Sequence, residues 1–313
     1  MQSPLTLVTG LKRGIALLAR VPAVAGDEVL VCDLSMERNL VALVGLLDRG
    51  VRVRYFDHHA LLREIPKHPG LESSTIVDRA DVCTCILMDR AVDGAARAWA
   101  AMGAYGDNLP RQADELASAI GLDVEQRRAL RRLGEAINYN AYGDDERDVL
   151  IAPSALYRVL TRWHDPLQVL EHEAVVAELE AARLRDLREA SMVAPIWRGP
   201  SGSVLALPDK AWARRIVGFL ANELTNREPN LAHAILTPAG QGYWRVSVRA
   251  PRAAPGGADA LCRQFGGLGR AVAAGIERLS GDKLGHFLDA FAAERWGDGG
   301  CVGAGSSRGI SAT

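Results

Sequence analysis

Two short apolar runs flank a single amphipathic segment with almost no residues to spare, and that spacing limits the fold more than any other feature of the chain. The runs are EVLVC at residues 28–32 and VRVRYF at 51–56. Between them MERNLVALVGLLDRG (36–50) places leucines and valines at helical intervals and ends on glycine. Strand, helix and strand joined this tightly fit parallel strands with a crossover helix. LTLVT (5–9) reads as a further strand and KRGIALLARV (12–21) as a short helix. The expected class is therefore α/β, with a parallel sheet in the first half.

After residue 80 the pattern turns helical. DVCTCILMDRAV, ARAWAAMGAYG, PRQADELASAIG and DVEQRRALRRLGEAINYNAYG carry helical spacing with Gly or Pro punctuation, and Asp123 is placed to cap the last of them. Residues 166–190 read as one long charged helix between two domains. Beyond it SVLAL, AHAILTP and GYWRVSVRA read as strands, with AWARRIVGFLANELTN and GDKLGHFLDAFAAERW as helices. The expected organisation is a first domain over 1–150, a helical linker over 151–192, a smaller mixed α/β domain over 193–296, and a disordered Gly- and Ser-rich tail over 297–313.

Composition narrows the partners. The formal net charge is −1, so no global basic field draws the chain to long nucleic acid, and any anion site is local. No stretch approaches the roughly 18 apolar residues of a membrane span, and the first residues lack a signal-peptide pattern. Five cysteines at 32, 83, 85, 262 and 301 form no CxxC pair, and their odd number argues against a disulfide framework. A reduced, cytoplasmic protein is expected.

In an open parallel sheet, ligands bind beyond the C-terminal strand ends. EVLVC ends in Asp33, and VRVRYF ends in Asp57-His58-His59. A carboxylate and two imidazoles thus leave the same edge, and Asp107 in GAYGDN is a further carboxylate at a helix end. Carboxylate and imidazole without thiolate suit a hard or borderline ion such as Mn²⁺. Asp33 is equally placed to cap the helix that starts near Met36.

YFDHH, preceded by VCDLS and followed by YGDN, resembles the DHH phosphoesterase superfamily. VSVRAP and FGGLGRAVAAGI are similar to the signatures of its associated C-terminal domain, so the resemblance spans roughly residues 1–295. It implies a metal-dependent phosphodiesterase using two Mn²⁺ ions. Asp33, His58 and Asp107 would be metal ligands, His59 would face the substrate phosphate, and Asp57 would support the histidines. It further implies that Arg249 grips a phosphate opposite His59, and that Gly267, Gly269, Arg270 and Gly275 form a glycine-rich substrate loop. The expected partners are a short single-stranded oligonucleotide, a dinucleotide or another small phosphate ester, no membrane, and a second copy of the chain in a homodimer.

Two departures qualify this. Leu268 and Arg270 stand where the family's loop has glycine and histidine. LTLVTG resembles the family's second strand, and the acidic motif that opens the family is absent. The expectation is an N-terminally shortened form or an inactive nucleotide-binding relative, with an unpaired sheet edge beside residues 5–9 or 28–32. Hydrolysis of pyrophosphate or polyphosphate is a further alternative, disfavoured by the second domain. His68, His164, His172, His233, His286, Cys83 and Cys85 are expected to be structural, and the basic face over 127–132 to be solvated.

Overall fold

β1 (Glu28–Cys32) and β2 (Arg52–Phe56) pair in parallel, from Glu28 opposite Arg52 to Cys32 opposite Phe56. In this computed structural model, which describes residues 5–14, 16–59, 64–73, 79 and 81–297, a third parallel strand, β3 (Leu71–Ser73), completes the order β1-β2-β3. The crossover is α1 (Met36–Asp48). Its Met36, Leu43, Leu46 and Leu47 pack with Val31, Val51, Val53 and Tyr55 in one buried cluster. Among the described residues β1 and β3 are the edge strands of this sheet, and Leu30 on β1 is exposed.

Residues 5–9 form no strand, contrary to the pattern of LTLVT. A strand exists only against a partner, and this segment is held elsewhere. Thr9 O accepts from Arg20 Nη1, and the next residues dock on the helical layer, with Lys12 N donating to Ala141 O at 2.9 Å. Among its described residues KRGIALLARV likewise supplies a turn at Lys12 and Arg13 and one 3-10 turn, Leu18–Arg20, because Gly14 and Pro22 bracket few residues for a helix.

A helical layer follows: α2 (Thr84–Ala91), α3 (Arg97–Gly106), α4 (Pro110–Ala119), α5 (Val124–Asn140) and α6 (Pro153–Leu160). Asp123 caps α5 in a reciprocal box with Gln126, as its position predicts. The long helix expected over 166–190 is broken into α7 (Pro166–His172) and α8 (Ala174–Ser191). Glu173 takes an extended conformation (φ −114°, ψ 106°), and its carboxylate accepts the Trp163 indole N–H at 2.9 Å. The break lets Val169 and Val176 join Leu130 and Leu133 in the helical core. Residues 151–192 thus pack with the helices before them.

The chain divides into two units, residues 1–192 with 208–220, and residues 193–207 with 221–313. The second unit holds a six-stranded sheet of order β4-β5-β6-β7-β9-β8. Its strands are β4 (Trp197–Gly199), β5 (Gly202–Ala206), β6 (Ala232–Pro238), β7 (Tyr243–Arg249), β8 (Leu268–Arg270) and β9 (Ala273–Ser280). Only β5 and β6 are parallel. α9 (Ala211–Arg227) runs from the first unit into the second, and α10 (Ala258–Arg263) and α11 (Leu284–Ala293) belong to the second. Val246, Val248, Ile276, Leu261, Phe287 and Phe291 are among its buried core residues. The chain is α/β, a parallel-sheet unit followed by a mixed one. No helix among the described residues is long and apolar enough to cross a membrane. The tail expected to be disordered lies, apart from Gly297, outside the described residues.

Candidate metal centre

The register of β1 against β2 decides what meets at the sheet edge. Cys32 and Phe56 are partners, so the next residues, Asp33 and Asp57, leave the sheet side by side. Asp33 N donates to Phe56 O at 3.0 Å. Asp33 has φ 59°, a left-handed conformation that aspartate tolerates better than most residues, and it turns the chain out of β1. It does not cap α1, whose N-cap is Ser35. Its carboxylate accepts instead from Thr84 Oγ1 at 2.9 Å, across 51 residues of sequence.

His58 is buried, and its Nδ1 lies 2.9 Å from Val82 O. A carbonyl only accepts, so Nδ1 carries the proton and Nε2 is left for another partner. That Nε2 lies 3.3 Å from Asp33 Oδ1 and 3.6 Å from Asp107 Oδ2. His59 Nδ1 lies 2.6 Å from Asp57 Oδ1. Asp57 is fully buried, and its Oδ2 has no hydrogen-bond partner among the described residues. Ligand atoms of Asp33, His58 and His59 all lie within 4.8 Å of one another. Asp107 comes from the helical layer as the C-cap of α3.

Two carboxylates face one imidazole nitrogen. The arrangement favours positive charge between these groups. Carboxylate oxygens, an imidazole fixed by a carbonyl behind it, and a sheet edge open to solvent fit a divalent ion.

A group that the sequence does not single out completes the centre. Lys12 Nζ donates to Asn138 Oδ1 at 2.8 Å, lies 3.7 Å from Asp107 Oδ1, and sits 5.1 Å from the centroid of the Tyr142 ring. Burial works against its ammonium form, but the Tyr142 oxygen and the carboxylates of Asp107 and Asp33 outweigh it and hold the lysine above its ordinary range. Burial would likewise raise Asp33, but the His58 hydrogen bond and the charges of Lys12, His58 and His59 hold that carboxyl well below the usual carboxylate range. Lys12, Thr84 and the Val82 carbonyl are the residues that sequence reasoning misses. Cys83 and Cys85 flank Thr84 but are not among the clustered donors.

The substrate-side residues of the resemblance lie in the second unit. Arg249 on β7 and Arg270 on β8 are both partners of Ala273 on β9, so the two arginines share one row and one face of the sheet. Arg249 donates to Asn222 Oδ1 and Ser247 Oγ, both at 3.2 Å. Gly267, Gly269 and Gly275 do not form an open loop. Gly275 is inside β9, opposite Ser247 and Leu268, and β8 and β9 make a hairpin. A Cβ on Gly267 would fall 2.4 Å from Gly275 O, so close backbone approach is why glycine stands there.

No protein-family model matches the chain, and no curated protein matches it. Among solved structures it is similar to a pGpG-specific phosphodiesterase, PggH, from Vibrio cholerae, with 10% sequence identity and a TM-score of 0.38 over 79% of this chain and 85% of that one.

Proposed function

We propose that the chain is a metal-dependent phosphoesterase acting on small phosphate esters, dinucleotides or short single-stranded oligonucleotides. The observation that carries this reading is the convergence of Asp33, His58 and His59 within 4.8 Å at the C-terminal edge of a parallel sheet, with Asp107 beside His58. Asp33, His58 and Asp107 would hold the ion, and Mn²⁺ suits their oxygen and imidazole donors. A divalent ion supplies a hydroxide near neutral pH and polarises a phosphoryl oxygen. His59, fixed at Nδ1 by Asp57, keeps Nε2 for the substrate, where it exchanges one proton with a phosphate or leaving-group oxygen. Arg249 and Arg270 offer paired donors for a phosphate, and Gly267, Gly269 and Gly275 bring the strands that carry them together. A net charge of −1 fits a small substrate better than a long polyanion.

A second reading is binding of the same ligands without hydrolysis. It is favoured by the supply of carboxylates: among the described residues, Asp33 and Asp107 are the two in ion-pair range of His58 Nε2. The test is to offer a dinucleotide, a short RNA and pyrophosphate with Mn²⁺. Cleavage of the first two supports the proposal, cleavage of pyrophosphate alone replaces it, and Mn²⁺-dependent binding without cleavage favours the second reading. Asp33→Asn should weaken Mn²⁺ binding by at least about tenfold. Unchanged Mn²⁺ affinity in both Asp33→Asn and His58→Ala removes the metal centre from the account.

A further inference from the structure

Lys12 is held as no surface lysine is. Its main-chain N–H is bonded to Ala141 O, and its ammonium is placed by Asn138 near the end of α5 and by the Tyr142 ring just beyond it. One oxygen of Asp107 faces this ammonium at 3.7 Å, while the other faces His58 Nε2 at 3.6 Å. One carboxylate therefore stands between the ammonium and the place where an ion would bind. Asn138 Oδ1 accepts from the ammonium, the Tyr142 oxygen is a further partner, Asp107 pairs with it at 3.7 Å, and the side chain keeps 35% of its surface open. Only four of the 37 basic residues are lysines, at 12, 67, 210 and 283. The compact point charge thus stands out in a chain that elsewhere uses the broad guanidinium fork.

Among the described residues two carboxylates, Asp33 and Asp107, stand in ion-pair range of His58 Nε2, which are few for two divalent ions. A fixed ammonium on the far side of Asp107 supplies a second positive charge without a second ion. Resting on the phosphoesterase reading above, we propose that the centre takes one divalent ion and that Lys12 is its phosphate-binding residue, its ammonium contacting an oxygen of the ester phosphate beside the ion. The competing account makes Lys12 a strut that does nothing but hold Asp107. The two differ in whether the exposed part of the ammonium also contacts the phosphate.

The experiment compares wild type with Lys12→Met and Lys12→Arg, after circular dichroism has established that each is folded. Mn²⁺ binding is read by electron paramagnetic resonance of the free ion, and binding of inorganic phosphate by calorimetry at saturating Mn²⁺. The expected result is one Mn²⁺ per wild-type chain, Mn²⁺ affinity in Lys12→Met equal to or tighter than wild type, and phosphate affinity lower by about ten- to a hundredfold, the worth of one charge-assisted hydrogen bond. Lys12→Arg should recover part of it. Two Mn²⁺ ions per wild-type chain overturn the proposal, and so does a Lys12→Met protein that binds Mn²⁺ more weakly but phosphate as tightly as before.

A measurement on the unmutated protein stands behind these variants. With four lysines, reductive ¹³C-methylation yields few side-chain signals, and the Lys12 signal should move during a phosphate titration. A Lys12 signal that does not respond overturns the proposal. If wild type binds no Mn²⁺ and Asp33→Asn changes nothing, the metal reading has failed. Phosphate binding to the metal-free protein then decides Lys12 separately: loss in Lys12→Met supports it, and equal binding overturns it.

Discussion

Gly134→Ala should loosen the helical layer and disturb the metal centre together. Gly134 lies on α5 against α3, where a Cβ would fall 2.2 Å from Met102 O and 2.9 Å from Gly106 N. Ordinary contact begins at 3.4 Å, so the two helices must part by about 1.2 Å, the difference between 3.4 and 2.2. Both obstacles are backbone atoms of α3, which cannot turn aside as a side chain does. Overpacking of this kind costs about 1–3 kcal/mol, and the better helix propensity of alanine returns about 1 kcal/mol. A net loss of up to about 2 kcal/mol is expected in urea unfolding. α3 ends one residue before Asp107, while Lys12 is anchored near the end of α5. The same displacement therefore falls on the 3.6 Å approach of Asp107 to His58, well beyond the roughly 0.5 Å that a ligand set tolerates. Mn²⁺ affinity should fall with stability. Gly45→Ala is the control, since the nearest atom to its Cβ would be Arg49 Nη1 at 3.7 Å, and the change should stabilise α1 by up to about 1 kcal/mol. If Gly134→Ala is as stabilising as Gly45→Ala and binds Mn²⁺ like wild type, the close packing of α3 on α5 does not position Asp107.

Asp186→Ala should cost about 3–5 kcal/mol in urea unfolding, because it strands the Arg215 guanidinium that Asp186 binds at 2.9 and 3.3 Å in a nearly dry setting, and it also removes the partner of the Tyr139 hydroxyl. A loss below about 1 kcal/mol would show that water reaches the pair. Asp148 sets an acid-side slope. Burial would raise its pKa, but the bidentate Arg214 guanidinium and the Asp144 N–H outweigh burial and lower it. A depressed folded pKa stabilises the protein above the ordinary carboxylate range and loses that contribution as pH falls through the folded value. From about pH 5 to pH 3 the urea midpoint of wild type should therefore fall further than that of Asp148→Asn, and parallel curves would count against the linkage.

The elements legible in the sequence are those whose pattern is set by burial on one face. β1, α1 and β2 fall where their apolar periods put them, because each packs into a single cluster with the others. LTLVT has the same β-branched signature and forms no strand, since a strand also needs an edge to pair with, and here Thr9 O accepts from Arg20 while the residues just after it dock at the end of α5. The three-residue strands β3, β4 and β8 are too short for any period to register. The hairpin of β8 and β9 was hidden by its own glycines, which read as a loop and serve as a tight strand contact. The break at Glu173 comes from a tertiary bond to Trp163, to which helix propensity is blind.

The centre divides along the same line. Asp33, Asp57, His58 and His59 were readable because one parallel register carries them, and two strand ends in register must deliver neighbouring side chains. Asp107 was readable only beside them, as a carboxylate at a helix end. Thr84 and Lys12 were not readable at all. They reach their partners across 51 and 126 residues of sequence, through contacts that exist only once the helical layer has closed on the sheet. Sheet and helices thus supply different things: the sheet edge gathers two imidazoles and the carboxylates of Asp33 and Asp57, and the helices add the second carboxylate that faces His58, the hydroxyl that orients Asp33, and the anchors of the ammonium. With the sheet residues alone, His58 would face one acid. The second acid and the nearby positive charge arrive together, because Asp107 follows α3 and Lys12 is tied to α5, and those two helices meet where neither Gly106 nor Gly134 leaves room for a side chain.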